Sequence, residues 1–245
     1  MGYPMNRAVR VAACSSLVLL ATAGCSTTTA GVPVEAMMAD VSSAAKTTAA
    51  SPPDGLPPGR LGALLLSDDT ISNIVGLPMQ PTGSWKRPGA VVTLRDRNDC
   101  KVLTVSDQDL WTSDFTAYRQ VAHQDSDEVN FFAWQGAATY EDTRTASRVF
   151  QRSINPGLQA RCKTATLPAE NDEQTTWRVD SLTVTGSALS VTLSEIRHQQ
   201  MTGWRCSTRI RVQRNVMQRA GACQFGNPVA TAQQMADLIS DRIGG

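Results

Sequence analysis

The clearest alternation in the chain runs over residues 206–212. Cys206, Thr208, Ile210 and Val212 fall on one side, and Ser207, Arg209 and Arg211 on the other. That is the period of a strand with one wet face. Gln213-Arg214-Asn215 makes a turn, with Asn215 suited to the positive φ of a tight reversal, and a second strand returns to Cys223. Residues 203–223 therefore predict a β-hairpin bracketed by two cysteines. Upstream, 118–123 and 129–140 read as two strands joined by the polar loop 124–128. Residues 177–185 and 189–196 read as two more, joined at Gly186-Ser187. The run FFAWQGAAT is mostly apolar, which places its strand centrally.

Helical periodicity appears in three places. Ser67 is a good N-cap, Asp68 and Asp69 suit a first turn, Ile71, Ile74 and Val75 share a face, and Gly76 and Pro78 end the segment. Glu141-Asp142 opens a second helix through Thr145, Val149 and Phe150. Pro156-Gly157 interrupts it, and a further turn reaches Cys162. Residues 229–243 close the chain as an amphipathic helix with Ala232, Met235, Ala236, Ile239 and Ile243 on one side. Between these elements, 80–99 is marked by Pro and Gly with one strand at 90–94. Residues 100–110 have no decisive period, and 168–174 is an acidic loop. The order helix, strands, helix, strands, helix predicts an α+β fold: one domain, with a twisted, mainly antiparallel sheet packed against helices.

A different pattern precedes this domain. Arg7 and Arg10 lead into the 14-residue apolar run VAACSSLVLLATAG. It is too short to cross about 30 Å of hydrocarbon and suits the core of an export signal. Thr22-Ala23-Gly24-Cys25 resembles a bacterial lipobox, with Thr22 where Leu is usual. In that reading residues 1–24 are removed, and Cys25 is diacylated and becomes the new N-terminus. The alternative is an ordinary signal cut nearby, leaving Cys25 free. Acyl chains contribute about 0.8 kcal/mol per buried CH₂ and would hold the protein on the membrane. Residues 26–60 contain no aromatic and are dominated by Ser, Thr, Ala and Pro, ending in SPPDGLPPG. Such a segment buries too little apolar area to offset its ordering entropy. It reads as a disordered tether reaching about 33 Å r.m.s.. The folded domain is expected over 61–245.

Composition adds two points. Of 13 aromatic residues, all but Tyr3 lie at or after Trp85, which locates the core. The 23 basic and 22 acidic residues nearly balance, so charge gives no argument for a nucleic-acid partner. With Cys14 removed and Cys25 lipidated, Cys100, Cys162, Cys206 and Cys223 remain, and an even number in an exported chain argues for two disulfides. The hairpin favours 206–223, leaving 100–162. A zinc site is the alternative, but CxxC spacing is lacking.

Catalytic chemistry is hard to find. The two histidines, His123 and His198, lie in no metal-binding spacing, and there is no GxSxG, P-loop or GxGxxG. His123 reads as a solvent-facing strand end and His198 as a loop residue. Asp107 and Asp109, and Asp125, Asp127 and Glu128, read as loop acids. No catalytic residue, metal or cofactor is assigned. Arg209 and Arg211 are the candidate ligand-binding pair: about 6.6 Å apart on one strand face, they could meet two points of a carboxylate, sulfate or phosphate ligand. A solvated sheet face is the alternative. Phe131, Trp134, Trp177 and Trp204 read as core, with one or two able to line a cleft.

Several of these segments together resemble the PknH-like extracellular sensor domain of mycobacteria. They are LLLSDDTISNIVG (64–76), Cys100, Ala160-Arg161-Cys162, Trp177, Gly203-Trp204-Arg205-Cys206, Asn215-Val216 and Ala222-Cys223. The resemblance covers about 61–243. It implies an α+β fold, the same two disulfides and a ligand cleft, with no established ligand. Pro156-Gly157 departs from the family pattern, where the helix runs on. The expected function is a membrane-anchored, extracytoplasmic, non-enzymatic ligand-binding or sensor lipoprotein. Its ligand would be a small molecule, lipid or glycan, and it would signal through a partner protein. The alternatives are a cell-envelope enzyme acting on polysaccharide or lipid, and a structural or adhesive surface protein. If Cys25 carries the anchor, Cys25→Ala shifts the protein out of the membrane fraction and abolishes acyl labelling; continued labelling contradicts the assignment.

Overall fold

The computed structural model describes residues 55–245 apart from 90–93, 95, 105–107, 170–171 and 173. The export signal, Cys25 and residues 26–54 of the tether lie outside the described residues. So do Asp107 and all but Leu94 of the strand expected at 90–94. Among the described residues no helix is long and apolar enough to cross a membrane.

The alternating segments pair as their periodicity requires. The strands are β1 (Gln80–Trp85), β2 (Phe115–Gln124), β3 (Phe131–Tyr140), β4 (Thr166–Pro168), β5 (Thr175–Val184), β6 (Ala188–Arg197), β7 (Gln200–Gln213) and β8 (Val216–Phe225). They form one antiparallel sheet in the order β1-β2-β3-β8-β7-β6-β5-β4. Two meanders, β1 to β3 and β4 to β8, meet at the β3–β8 pairing. The FFAWQGAAT strand is β3, and it is central as expected. Two strands were not legible: β1, which contains a proline and a glycine, and the three-residue β4.

The helices are α1 (Leu61–Leu64), α2 (Asp68–Val75), α3 (Gln108–Trp111), α4 (Thr143–Ser153), α5 (Pro156–Cys162) and α6 (Val229–Gly244), with 3₁₀ turns at Pro58–Arg60 and Asn98–Leu103. Their ends follow the local chemistry. Ser67 Oγ accepts the Thr70 N–H at 3.3 Å, and Gly76 closes α2 at φ 76°. Asp142 Oδ1 accepts the Thr145 N–H at 2.6 Å to start α4. Pro156 occupies the first turn of α5, where its missing N–H costs nothing, so the Pro-Gly pair begins a second helix.

The sequence-based view of the hairpin needs two corrections. The turn is the two-residue Arg214-Asn215, because Gln213 pairs with Val216. The positive φ falls on Arg214, at 56°, while the Asn215 side chain turns inward and is buried. Nor is the arginine face of β7 the solvated surface expected. The strand lies between β8 and β6, and α6 covers the side carrying Ser207, Arg209 and Arg211. Ser207 is fully buried and both arginines are half-buried.

Two apolar layers sandwich the sheet. On one side Ile71, Met235, Ile239 and Ile243, from α2 and α6, pack on Phe131, Ala133, Ala220 and Ala222. On the other Val149, Phe150 and Leu158, from α4 and α5, pack on Tyr140, Ile210 and Met217. Three buried amide side chains fasten the covering segments. Gln135 on β3 both donates to and accepts from the Leu66 backbone, each at 2.7 Å. Gln218 on β8 donates to Ala236 O at 3.0 Å and Ser240 Oγ at 2.6 Å on α6. Asn215 accepts the Leu56 N–H at 2.6 Å and donates to Leu56 O at 3.0 Å and Tyr140 O at 2.8 Å. Leu56 is itself buried in the core, so the folded unit includes residues ahead of Leu61.

Both disulfides are present. Cys100–Cys162 ties the β1–β2 connection to α5 with Cα atoms 5.8 Å apart. Cys206–Cys223 joins directly opposed residues of β7 and β8 with Cα atoms 4.0 Å apart.

Asn215→Ala leaves Leu56 N–H and two carbonyls without their partner. Urea denaturation should show a loss of about 2 to 4 kcal/mol, with faster hydrogen exchange around Leu56. A loss below about 0.5 kcal/mol contradicts the fastening role.

Candidate functional site

Alternation along a strand puts Phe132 and Trp134 of β3, Arg219 and Cys223 of β8, and Cys206 and Thr208 of β7 on the face that α4 and α5 cover. Those helices reach only half of it. They bury Tyr140, Ile210 and Met217, and past Arg219 and Thr208 no α-helix among the described residues lies over the sheet. In that half lies a groove of about 430 Å³. Its sides hold Trp85 from β1, Trp177 from β5 and Trp204 from β7, with Leu103 and Thr104 on one wall. Four of the five tryptophans in the chain thus meet here. The fifth, Trp111, is fully buried in the core.

Glycine makes two of these rings possible. A Cβ on Gly221 would stand 2.1 Å from the Trp134 ring and one on Gly83 would stand 2.3 Å from the Trp85 ring. Trp134 lies across its cross-strand partner Gly221, and Trp85 folds back along its own strand. Trp204 stacks edge-to-face on Phe225 with centroids 5.1 Å apart. Phe225 is exposed, at 54%.

The disulfides frame the groove. Cys206–Cys223 lies in its floor, and Cys100–Cys162 anchors the segment that carries Leu103 and Thr104. Among the described residues lining it, Arg219 alone carries a charge, and none is Ser, His, Asp or Glu. Arg219 is 5% exposed, with its guanidinium carbon 5.7 Å from the Trp134 ring centroid. Its cross-strand neighbour Gly136 has no side chain to compete for that space.

Other sequence candidates lie elsewhere. Arg211 donates to Asp237 at 2.7 Å and to Ser240 Oγ at 3.2 Å, both on α6. Burial alone would raise the Asp237 pKa, but hydrogen bonds from Gln233 and Arg211 outweigh it and hold the carboxyl below its ordinary value. Arg209 lies beside them, and burial, then the like charge of Arg211, lower its pKa. Both arginines are on the sheet face opposite the groove. Arg205, on that same face, pairs with Asp180 at 3.1 Å.

His123 is a correction. It is fully buried, because β1 pairs outside β2 and because α2 brings Asp68 to within 2.9 Å of its Nε2. His198 is exposed in the β6–β7 turn, as expected. Asp125 accepts the backbone N–H groups of Asn130 and Phe131, both at 2.9 Å, and so shapes its loop. Asp109 pairs with Lys101 at 2.7 Å, beside a larger hollow of about 830 Å³ whose lining mixes lysines, arginines and aspartates. Asp99, Cys100 and Cys162 cluster closely, but both sulfurs are spent in a disulfide.

Phe131 is core, whereas Trp134, Trp177 and Trp204 are half-buried groove residues. Trp85 and Arg219 gave no signal in the sequence as groove residues. Trp85 follows a Pro- and Gly-bearing strand, and the position of Arg219 depends on the β3–β8 pairing between distant segments.

The described residues form a disulfide-stapled α+β domain with an aromatic groove on one face of its sheet. The model of the PknH-like extracellular domain matches residues 56–242, and the chain belongs to that family. Among solved structures it is similar to the extracellular domain of PknH from Mycobacterium tuberculosis, with a TM-score of 0.68 and 20% identity over 78% of this chain and 97% of that one. At that identity the likeness concerns the fold. Comparison with curated proteins finds no match. Membership of an extracellular-domain family puts the folded unit outside the cytoplasm.

Gly221→Ala forces Trp134 off the sheet. The expected loss is about 1 to 3 kcal/mol in thermal or urea unfolding, with a changed tryptophan emission spectrum. An unchanged spectrum and stability contradict the packing described.

Proposed function

We propose that this protein is a membrane-anchored, extracytoplasmic lipoprotein whose folded domain binds a small ligand in the tryptophan-lined groove and acts as a non-enzymatic sensor. One observation carries the reading: four tryptophans converge on an uncovered half-face of the sheet that lacks any acid–base or nucleophile–base pair among its described lining residues. A groove of about 430 Å³ lies within the usual size of small-molecule sites. The two disulfides hold its floor and one wall, which lowers the ordering cost of binding. Cys25 would supply the anchor and residues 26–54 most of the spacer. Any response to a ligand would then pass to a partner protein. Arg211 is engaged in the docking of α6 on the opposite face of the sheet from the groove.

The test is native mass spectrometry of the purified full chain after exposure to a cell-envelope extract. The wild type should retain a small molecule. The double variant Trp177→Ala with Trp204→Ala, checked for folding by circular dichroism, should lose it. Retention by the double variant, or no retention by the wild type, contradicts the groove as the binding site.

A further inference from the structure

On the sheet face opposite the groove, two neighbouring rows of side chains start alike and end differently. In the first, Arg205 of β7 lies directly opposite Ser194 of β6, and Asp180 of β5 completes the row. Asp180 Oδ2 accepts from Arg205 Nη2 at 3.1 Å and from the Ser194 hydroxyl, while Arg178 Nη2 binds Oδ1 at 2.9 Å. Four residues along each strand the pair recurs. Arg209 lies directly opposite Ser190, so their side chains share a face with Cβ atoms about 5 Å apart. Here β5 sets Thr183 opposite Ser190, a neutral residue where the first row has a carboxylate. We propose that Arg209 and Ser190 form a second binding site, independent of the groove, for the carboxylate of an acidic ligand.

The donors of Arg209 are uncommitted. Its Nε is buried with no hydrogen-bond partner, and among the described residues no acid forms an ion pair with it. The charges that act on it are Arg211, of like sign, and Asp237 on α6. Asp237 is already held by Arg211 at 2.7 Å and by Gln233, which donates to both its oxygens. Two arginines thus share one carboxylate, and one positive charge is left over. The site is also reachable. Helix α6 packs on β7 and β8, whereas Ser181 and Thr183 on this side of β5 are exposed and Ser190 is half-buried. A ligand approaching over β5 and β6 therefore meets Arg209 at the margin of α6. One surplus charge suits a monoanion, and the flat guanidinium fork suits a carboxylate, as the Asp180 row demonstrates. A cation would face like charge, and a neutral sugar would gain only a hydroxyl contact.

The test is titration of the ¹⁵N-labelled full chain with sodium acetate at pH 6 and constant ionic strength, following the arginine Nε–H resonances. The Arg209 signal should move saturably, with half-saturation on the order of 10 to 100 mM for a single charge-assisted contact. The Arg205 signal, whose row Asp180 already completes, should stay fixed. Glucuronate should reproduce the Arg209 shift, and glucose should not. Thr183→Asp supplies the missing acid from β5 itself and should abolish the acetate response. Thr183→Asn, of the same shape without the charge, should retain it, which separates occupation of the site from a disturbance of β5. No saturable shift at Arg209, an equal shift at Arg205, an equal response to glucose, or an acetate response that survives Thr183→Asp overturns the proposal.

Discussion

A sheet that is apolar on both faces needs two covers, and the described helices supply about one and a half. The N-terminal segment, α2 and α6 close one face. Helices α4 and α5 close the other only as far as Ile210 and Met217. The remaining strip is too apolar to be left to ordinary polar surface, and it is filled with large aromatic rings that lie partly flat on the strands. Glycine at 83 and 221 is what lets two of them do so. The groove is thus a consequence of how the sheet is covered, with no separate binding element.

What keeps the incomplete cover in place is the set of fixed points around it. Gln135, Gln218 and Asn215 exchange hydrogen bonds with backbone carbonyls of the covering segments, where an unmade bond would be expensive. Arg211 reaches α6 through Asp237, and Arg242 on α6 donates back to the carbonyl of Leu65 at the end of α1. The disulfides act on the opposite face, one holding the Leu103 wall and the other the floor. Closed-face rigidity and open-face shape are therefore maintained by different chemistry. The groove lining comes from β3, β5, β7 and β8 together, so the proposed ligand would contact four strands at once.

Much of the fold was legible because it rests on local rules. Ser67 and Asp142 announce helix starts, Gly76 a helix end, and the residues from Ala232 to Ile243 a buried stripe; the structure has all of them. The disulfide pairing followed from one hairpin. Errors arose where a residue's surroundings come from distant chain. His123 was read as solvent-facing because β1, with its proline, did not look like a strand that could cover it. The arginine face of β7 was read as wet because α6 lies well downstream and its docking leaves no local trace. Asn215 is in the turn as expected, but the positive φ falls on Arg214, and the bonds of the buried Asn215 side chain to Leu56 span 159 positions. The groove was half visible: three of its tryptophans were noted, but only the β3–β8 pairing puts Arg219 beside Trp134.

The central claim is that four tryptophans form an accessible binding surface while the fifth belongs to the core. Indole N–H resonances of the ¹⁵N-labelled protein, followed as an envelope extract is added, test it directly. The account predicts that the signals of Trp85, Trp134, Trp177 and Trp204 move together while that of Trp111 stays fixed. Five unmoved signals, or changes confined to residues packed against α6, would contradict it.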